Sequence, residues 1–285
     1  MERSHWLFEG PDGLRAGWRI FLYLGMGVVV FFLLSAFVVL VPAHAGTLGQ
    51  SIFFNAVMAI SALVPASVMA RIENRPFAVY GLPPRNAFGK LFWTGAACGI
   101  ASFSFLMLLL RGIGVFTFGH LALHGEPALK FAFFWAAYFL LVGIFEEFAF
   151  RGYLQFTLGN SIGFWPSALL LSLLFGGTHM FNPGETWIGE LGAMAIGFLF
   201  CLTLRRTGSL WFAVGMHASW DWAESYLYSV PDSGSMVSGH LLNSSLHGSR
   251  WLTGASVGPE GSVLVFVVIA FCWIIFARVY PAREA

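Results

Sequence analysis

Long apolar blocks alternate with short polar joints along this chain. The blocks fall at 20–41, 52–70, 91–110, 131–156, 166–180, 188–204, 209–228 and 262–279. A transmembrane helix needs ~20 predominantly apolar residues to cross a hydrocarbon core of ~30 Å, with some allowance for tilt and interfacial residues. The block at 166–180 is short, and its helix is expected to begin a turn earlier. The pattern predicts an all-α fold, a polytopic membrane bundle of about eight transmembrane helices with short connections. The segment at 71–90 carries Pro76, Gly81, Pro83 and Pro84 and reads as a connector. The Ser- and Gly-rich stretch at 231–261 reads as the longest loop, and as a mobile one. No tandem repeat or coiled-coil pattern is present.

Lys and Arg orient the bundle. With the N-terminus in the cytoplasm, Arg3, Arg15, Arg19, Arg71, Arg75, Arg85, Lys90, Arg151, Arg205, Arg206, Arg278 and Arg283 lie inside, and Arg111, Lys130 and Arg250 lie outside. Twelve cations against three fit the positive-inside rule with both termini in the cytoplasm, in a multi-pass protein of the cell (inner) membrane. Arg15 and Arg19 before an apolar run, with Ala43-His44-Ala45 after it, resemble a signal peptide. The run is about twice a usual signal core, so it reads as a retained first helix.

Composition sharpens this picture. Of 285 residues, 58% are hydrophobic and 10% charged, where a soluble domain has about 25% charged. Mean hydropathy is +0.75. A formal net charge of +1 argues against nucleic acid as a partner and leaves membrane lipid as the surroundings. Cys98, Cys201 and Cys272 all sit in apolar blocks and suggest no disulfide framework. Trp6, Trp18 and Trp211 fit interfacial belts.

Three blocks carry ionisable groups in their interiors. Such groups are costly in a bilayer and are functional candidates for that reason. The fourth block contains Glu146, Glu147 and Arg151. If its helix runs unbroken to about residue 158, both glutamates lie roughly 17 Å above the inner end. Glu147 and Arg151 share a face at i,i+4, so they can pair, while Glu146 points about 100° away. A surplus buried carboxylate suits general-base work. The same residues also suit an ion-pair network that only ties helices together. His179 lies about 20 Å along its helix from Pro166, and His217 roughly 13 Å from Gly208. Asp221 shares the face of His217 at i,i+4. A lone membrane histidine usually bonds a neighbouring helix, but two histidines, a Glu pair and an Asp at compatible depths point to one pocket. Gly176 and Gly177 would let a helix or substrate backbone come close to it. His5, His44, His120, His124, His240 and His247 fall in tails or loops. Glu185 and Glu190 read as solvated, and Asp232 and Glu260 flank the loop and need no special account.

The succession Glu146-Glu147-x-x-x-Arg151, Phe175-x-x-x-His179 and His217-x-x-x-Asp221 resembles the CPBP intramembrane proteases, which include the Rce1-type CAAX prenyl endopeptidases and bacterial Abi-domain relatives. The run from Arg205 to Trp211 is similar to the family's lead-in to its second histidine, and Tyr80-Gly81-Leu82-Pro83 to its connector. The resemblance is specific over 131–221, and divides the chain into N-terminal helices one to three with their connector (1–130), a CPBP/Abi-type catalytic core of helices four to seven (131–225), and an outer loop with helix eight (226–285). It implies an endopeptidase acting on a membrane-associated peptide or protein; a member without prenylated partners would need another target, such as a secreted peptide, a lipoprotein leader or a transmembrane regulator. It further implies that Glu146 activates water with help from His179. Glu147 would pair with Arg151 and hold Glu146 in place, Phe175 would pack the motif, and His217 with Asp221 would stabilise the oxyanion. The prenyl endopeptidases commonly carry Asn where this chain has Asp221. Either a protonated Asp221 faces the oxyanion, or Asp221 orients His217.

No cofactor is required on this reading. Zinc is possible, with Glu146, His179 and His217, or these with Glu147, as ligands. The absence of His-Glu-x-x-His favours a metal-free site. Two other functions stay open on the residues: a proton- or ion-coupled transporter, against which no inverted repeat is seen, and an idle immunity or sorting scaffold.

Overall fold

The computed structural model describes residues 9–10, 13–40 and 46–282. Arg3, His5, Trp6, Arg283 and the Ala43-His44-Ala45 sequence lie outside them. The main helices are α1 (Ala16–Ser35), α2 (Gly46–Ile72), α3 (Lys90–Gly112), α4 (Gly125–Arg151), α5 (Tyr153–Ile162), α6 (Phe164–His179), α7 (Trp187–Thr207), α8 (Trp211–Trp222) and α9 (Val265–Val279). A π-helical turn, Ala223–Leu227, continues α8. The strands form two small antiparallel ribbons, β1 (Glu9–Gly10) with β2 (Gly13–Leu14) and β3 (Phe116–Thr117) with β4 (Ser245–Leu246).

The expected helical membrane bundle is present, and the chain is a multi-pass membrane protein. Five segments among the described residues are long and apolar enough to cross a membrane: Ala16–Val38, Gly46–Ile72, Lys90–Gly112, Gly125–Ile162 and Trp187–Thr207. The remaining apolar blocks form shorter helices, with 16 residues in α6, 12 in α8 and 15 in α9. Helix α6 starts two residues before its apolar block, which puts Pro166 in the first turn, where a missing N–H costs nothing. The fourth block departs from expectation. Its helix is not continuous but breaks at Gly152, between α4 and α5. A Cβ at 152 would stand 2.5 Å from the carbonyl oxygen of Phe148, so only glycine fits the break.

Helix α1 turns most of its length outward. Phe21, Leu22, Leu24, Val28, Val29, Phe32 and Leu33 are all exposed, as lipid-facing side chains are. The interior is built around α8. Gly95 and Gly99 of α3 lie against it, and a Cβ on either would come within 2.3 Å of an α8 carbonyl oxygen. Gly215 reciprocates, since its Cβ would stand 2.2 Å from the carbonyl oxygen of Phe92. Small residues on both faces let the two backbones touch, the usual device where lipid offers no hydrophobic drive for association. Ser219 secures the contact with a 2.8 Å bond from its Oγ to the carbonyl of Ala96. Around this pair, Phe103, Leu106, Met107, Phe212, Met216, Trp220, Val268 and Phe276 form one apolar core.

The joint between α7 and α8 is tight because Gly208 ends α7 in the left-handed conformation (φ 68°). The connector docks on the start of α8. Its Gly81 carbonyl accepts from the Leu210 amide at 2.7 Å, and its Pro83 carbonyl accepts from Trp211 Nε1 at 3.1 Å. Trp211 is therefore buried against the connector, not set in an interfacial belt as its sequence context suggests. Among the described residues the three cysteines are free.

The 231–261 loop also departs from its expected mobility. Trp135 Nε1 donates to the Ser238 carbonyl, the Leu241 amide to the Tyr226 carbonyl, the Gly234 amide to the Val257 carbonyl, and β4 pairs with β3. Val257, Pro259 and Gly261 are buried. The loop is part of the fold, and it closes over the site described next.

Candidate active site

Glu146 and Glu147 lie in the last two turns of α4, close to the break at Gly152. Only about 7 Å of helix separates Glu146 from that end, in place of the roughly 17 Å expected of an unbroken helix. The two neighbours face different surroundings, as adjacent helical positions must. The Glu147 side chain is fully buried, whereas that of Glu146 is 27% exposed, into a cavity. Glu147 Oε1 accepts from Arg151 Nη1 at 3.2 Å and from His217 Nδ1 at 2.8 Å. The bonds of Glu147 thus hold Arg151 and His217, rather than Glu146 itself.

Arg151 is buried behind this carboxylate, with its guanidinium 4.1 Å from the centre of the Phe175 ring. A cation over an aromatic face recovers part of the desolvation cost. The slot for it exists because position 197 on α7 is glycine. A Cβ there would stand 2.2 Å from Arg151 Nη2. Phe175 also lies edge-on to His179, at 4.7 Å between ring centres, and joins the two halves of the site.

His217 and His179 arrive on different helices with their ring nitrogens already divided between tasks. His217 stacks on Phe200 (5.8 Å, 15°) and gives Nδ1–H to Glu147. Its Nε2 then faces Asp221 Oδ2 at 3.5 Å and Glu146 Oε2 at 3.8 Å. His179 donates Nδ1–H to the Phe175 carbonyl at 2.8 Å. A carbonyl only accepts, so Nε2 of a neutral His179 carries the lone pair. Gly176 packs on α7, where a Cβ would meet the Glu190 carbonyl at 2.8 Å, while Gly177 faces open space.

Glu146, His179, His217 and Asp221 line one cavity of about 620 Å³, with Glu147 and Arg151 behind its wall. The other described histidines, His120, His124, His240 and His247, do not line it. Phe54, Asn55 and Met58 of α2 and Tyr138 of α4 form part of its wall, and Asp232, Ser233, Val257 and Glu260 of the loop form another.

Residues 128–223 match the family described as type II CAAX prenyl endopeptidase Rce1-like. This segment is an Rce1-like domain of the CPBP family. The match supports, at the level of that family, a CAAX-type membrane endopeptidase. No curated protein matches the chain significantly.

The Rce1-like segment spans α4 to α8 and holds Glu146, Glu147, Arg151, Phe175, His179, His217 and Asp221. It stops just before a group of carboxylates that reading the sequence missed. Asp232 and Glu260, which flank the loop in the sequence, do need an account, because both line the cavity. Glu224 is fully buried beside them. Its signal was available, since His217, Asp221 and Glu224 stand at i, i+4 and i+7, one face of a helix. Burial, with Glu260 close by, pushes the Asp232 carboxyl up to about 7, and burial also raises Glu260. Glu185 belongs to the cavity wall too, and burial raises its carboxyl above the ordinary range.

The residues fit zinc poorly. A zinc ion draws its ligand atoms to about 2.0–2.3 Å from itself. Among the described residues, the only His, Cys, Asp or Glu set of three with ligand atoms all within 4.8 Å of one another is Glu224, Asp232 and Glu260. Glu146, His179 and His217 are not gathered in this way, and Nδ1 of both histidines is engaged elsewhere. No step of the chemistry below is routed through a metal.

Proposed function

We propose that the chain is an intramembrane endopeptidase of the cell (inner) membrane that hydrolyses a peptide bond with a water activated by Glu146. The observation that carries this reading is the convergence of Glu146, His179 and His217, from three helices, on one cavity. Of the two adjacent glutamates, Glu146 is the one that faces the cavity, with His217 Nε2 at 3.8 Å, while Glu147 is buried and bonded to Arg151 and His217, so Glu146 is the group available to take a proton from water. His179 Nε2, as a lone-pair acceptor, orients that water. The resulting hydroxide attacks the substrate carbonyl carbon. The developing oxyanion faces His217, which as imidazolium presents Nε2–H to it, a fixed donor where charge appears. Glu146 then returns its proton to the amide nitrogen, the C–N bond breaks, and a carboxylate and an amine leave.

Asp221 and Glu147 flank His217 on its two nitrogens and act as positioning residues. On this reading Asp221 orients the imidazolium rather than contacting the oxyanion, which an ionised Asp would repel.

The test compares membrane peptides from cells expressing wild type with those from cells expressing Glu146→Ala or His179→Ala. Fragments with new termini are expected only with wild type. An identical fragment set in all three overturns the proposal. A farnesylated peptide ending in a CAAX sequence, added to the reconstituted protein, decides whether the substrate is a prenylated one.

A further inference from the structure

Glu224, Asp232 and Glu260 each offer a carboxylate oxygen within 4.8 Å of the other two. Asp232 and Glu260 have neutral donors: Ser225 Oγ reaches Asp232 Oδ2 at 2.9 Å, and Trp220 Nε1 and Ser233 Oγ reach Glu260 at 3.2 and 3.3 Å. Glu224 has none. It is fully buried, and both of its carboxylate oxygens are without a hydrogen-bond partner. Among the described residues no Lys or Arg lines the adjoining cavity. An isolated buried carboxylate is among the costliest groups to desolvate, and it is tolerated where a cation or shared proton compensates it.

We propose that Glu224, Asp232 and Glu260 form a binding site for a hard divalent cation, for which calcium is the fitting ion. All the donors are oxygens, which excludes a preference for soft metals. Calcium takes oxygens at about 2.3–2.6 Å, so two ligands across one ion stand up to about 5 Å apart. The observed 4.8 Å envelope accommodates that spread. The site joins three places in the fold: the π-helical turn that follows α8, the start of the 231–261 loop, and its end. A bound ion therefore clamps both ends of the loop to the helix that carries His217 and Asp221. Glu224, Asp232 and Glu260 all lie beyond the matched segment, so the site does not depend on the hydrolytic reading.

The test uses the full-length chain, purified, stripped with a chelator and titrated with calcium alone. Calorimetry is expected to show one ion per chain, and the melting temperature to rise by about 5 °C at saturation. Glu224→Gln and Asp232→Asn, each close to isosteric, are expected to abolish both signals. If Glu224→Gln fails to fold, Asp232→Asn and the wild-type titration still decide. The proposal is overturned if wild type shows neither heat nor a shift up to about 10 mM calcium, well above the range of weak extracellular sites. It is equally overturned if both variants respond as wild type does, or if zinc binds and calcium does not. Because the readouts are heat and melting temperature, the result stands whether or not a peptide is cleaved.

Discussion

Glu146→Gln is expected to lower peptide turnover by about 10³-fold, the scale of a lost general base, while leaving the melting temperature nearly unchanged. The Glu146 side chain is 27% exposed and the bonds of the site do not run through it. Its neutralisation therefore costs no more than a typical exposed substitution, within about 0.5 kcal/mol. Glu147→Gln should behave differently, although it is the adjacent residue and the same chemical change. That side chain is fully buried and binds Arg151 and His217 through one oxygen. Its variant should lose stability and activity together. Turnover with a membrane-tethered peptide and melting curves on the same preparations read both effects. Glu146→Gln retaining more than about a tenth of wild-type turnover would exclude it as the base.

The second large effect is expected at Arg151. Arg151→Met should destabilise the protein by about 3–5 kcal/mol, because it leaves a buried carboxylate without its cation. At roughly 2–4 °C per kcal/mol for a chain of this size, the melting temperature should fall by about 10 °C. The double variant Glu147→Gln/Arg151→Met removes both charges and should recover most of that stability, since exchanging a buried pair for neutral groups is often close to neutral. It should not recover turnover, because His217 would still lack the carboxylate that holds Nδ1. A melting temperature within about 2 °C of wild type for the single variant would show that the pair is dispensable to the fold.

The paired Glu147–Arg151 contact and the outward turn of Glu146 follow from a spacing of four and of one on a helix, so local geometry alone made them readable. His217 and Asp221 were readable for the same reason. The partners that come from other helices were not. Phe200 beneath His217, Gly197 beside Arg151 and the Met58 wall depend on how helices cross, and an apolar residue in an apolar block carries no mark of the neighbour it will meet. The break at Gly152 was hidden because a single glycine costs a helix only about 1 kcal/mol and is often tolerated. The Ser and Gly content of the loop reads as flexibility. Its order comes from backbone and hydroxyl bonds to distant partners such as Trp135, Tyr226 and Glu260.

The missing methyl group on α7 has a consequence for how this protein would look to genetics. Position 197 has no chemistry of its own, yet its emptiness is what admits the guanidinium. In a saturation screen scored by growth or product alone, Ala at 197 would rank beside Gln at 146, and the column would pass for part of the reaction machinery. Only a parallel measure of how much protein accumulates would sort the vacancy at 197 from the proposed base at 146.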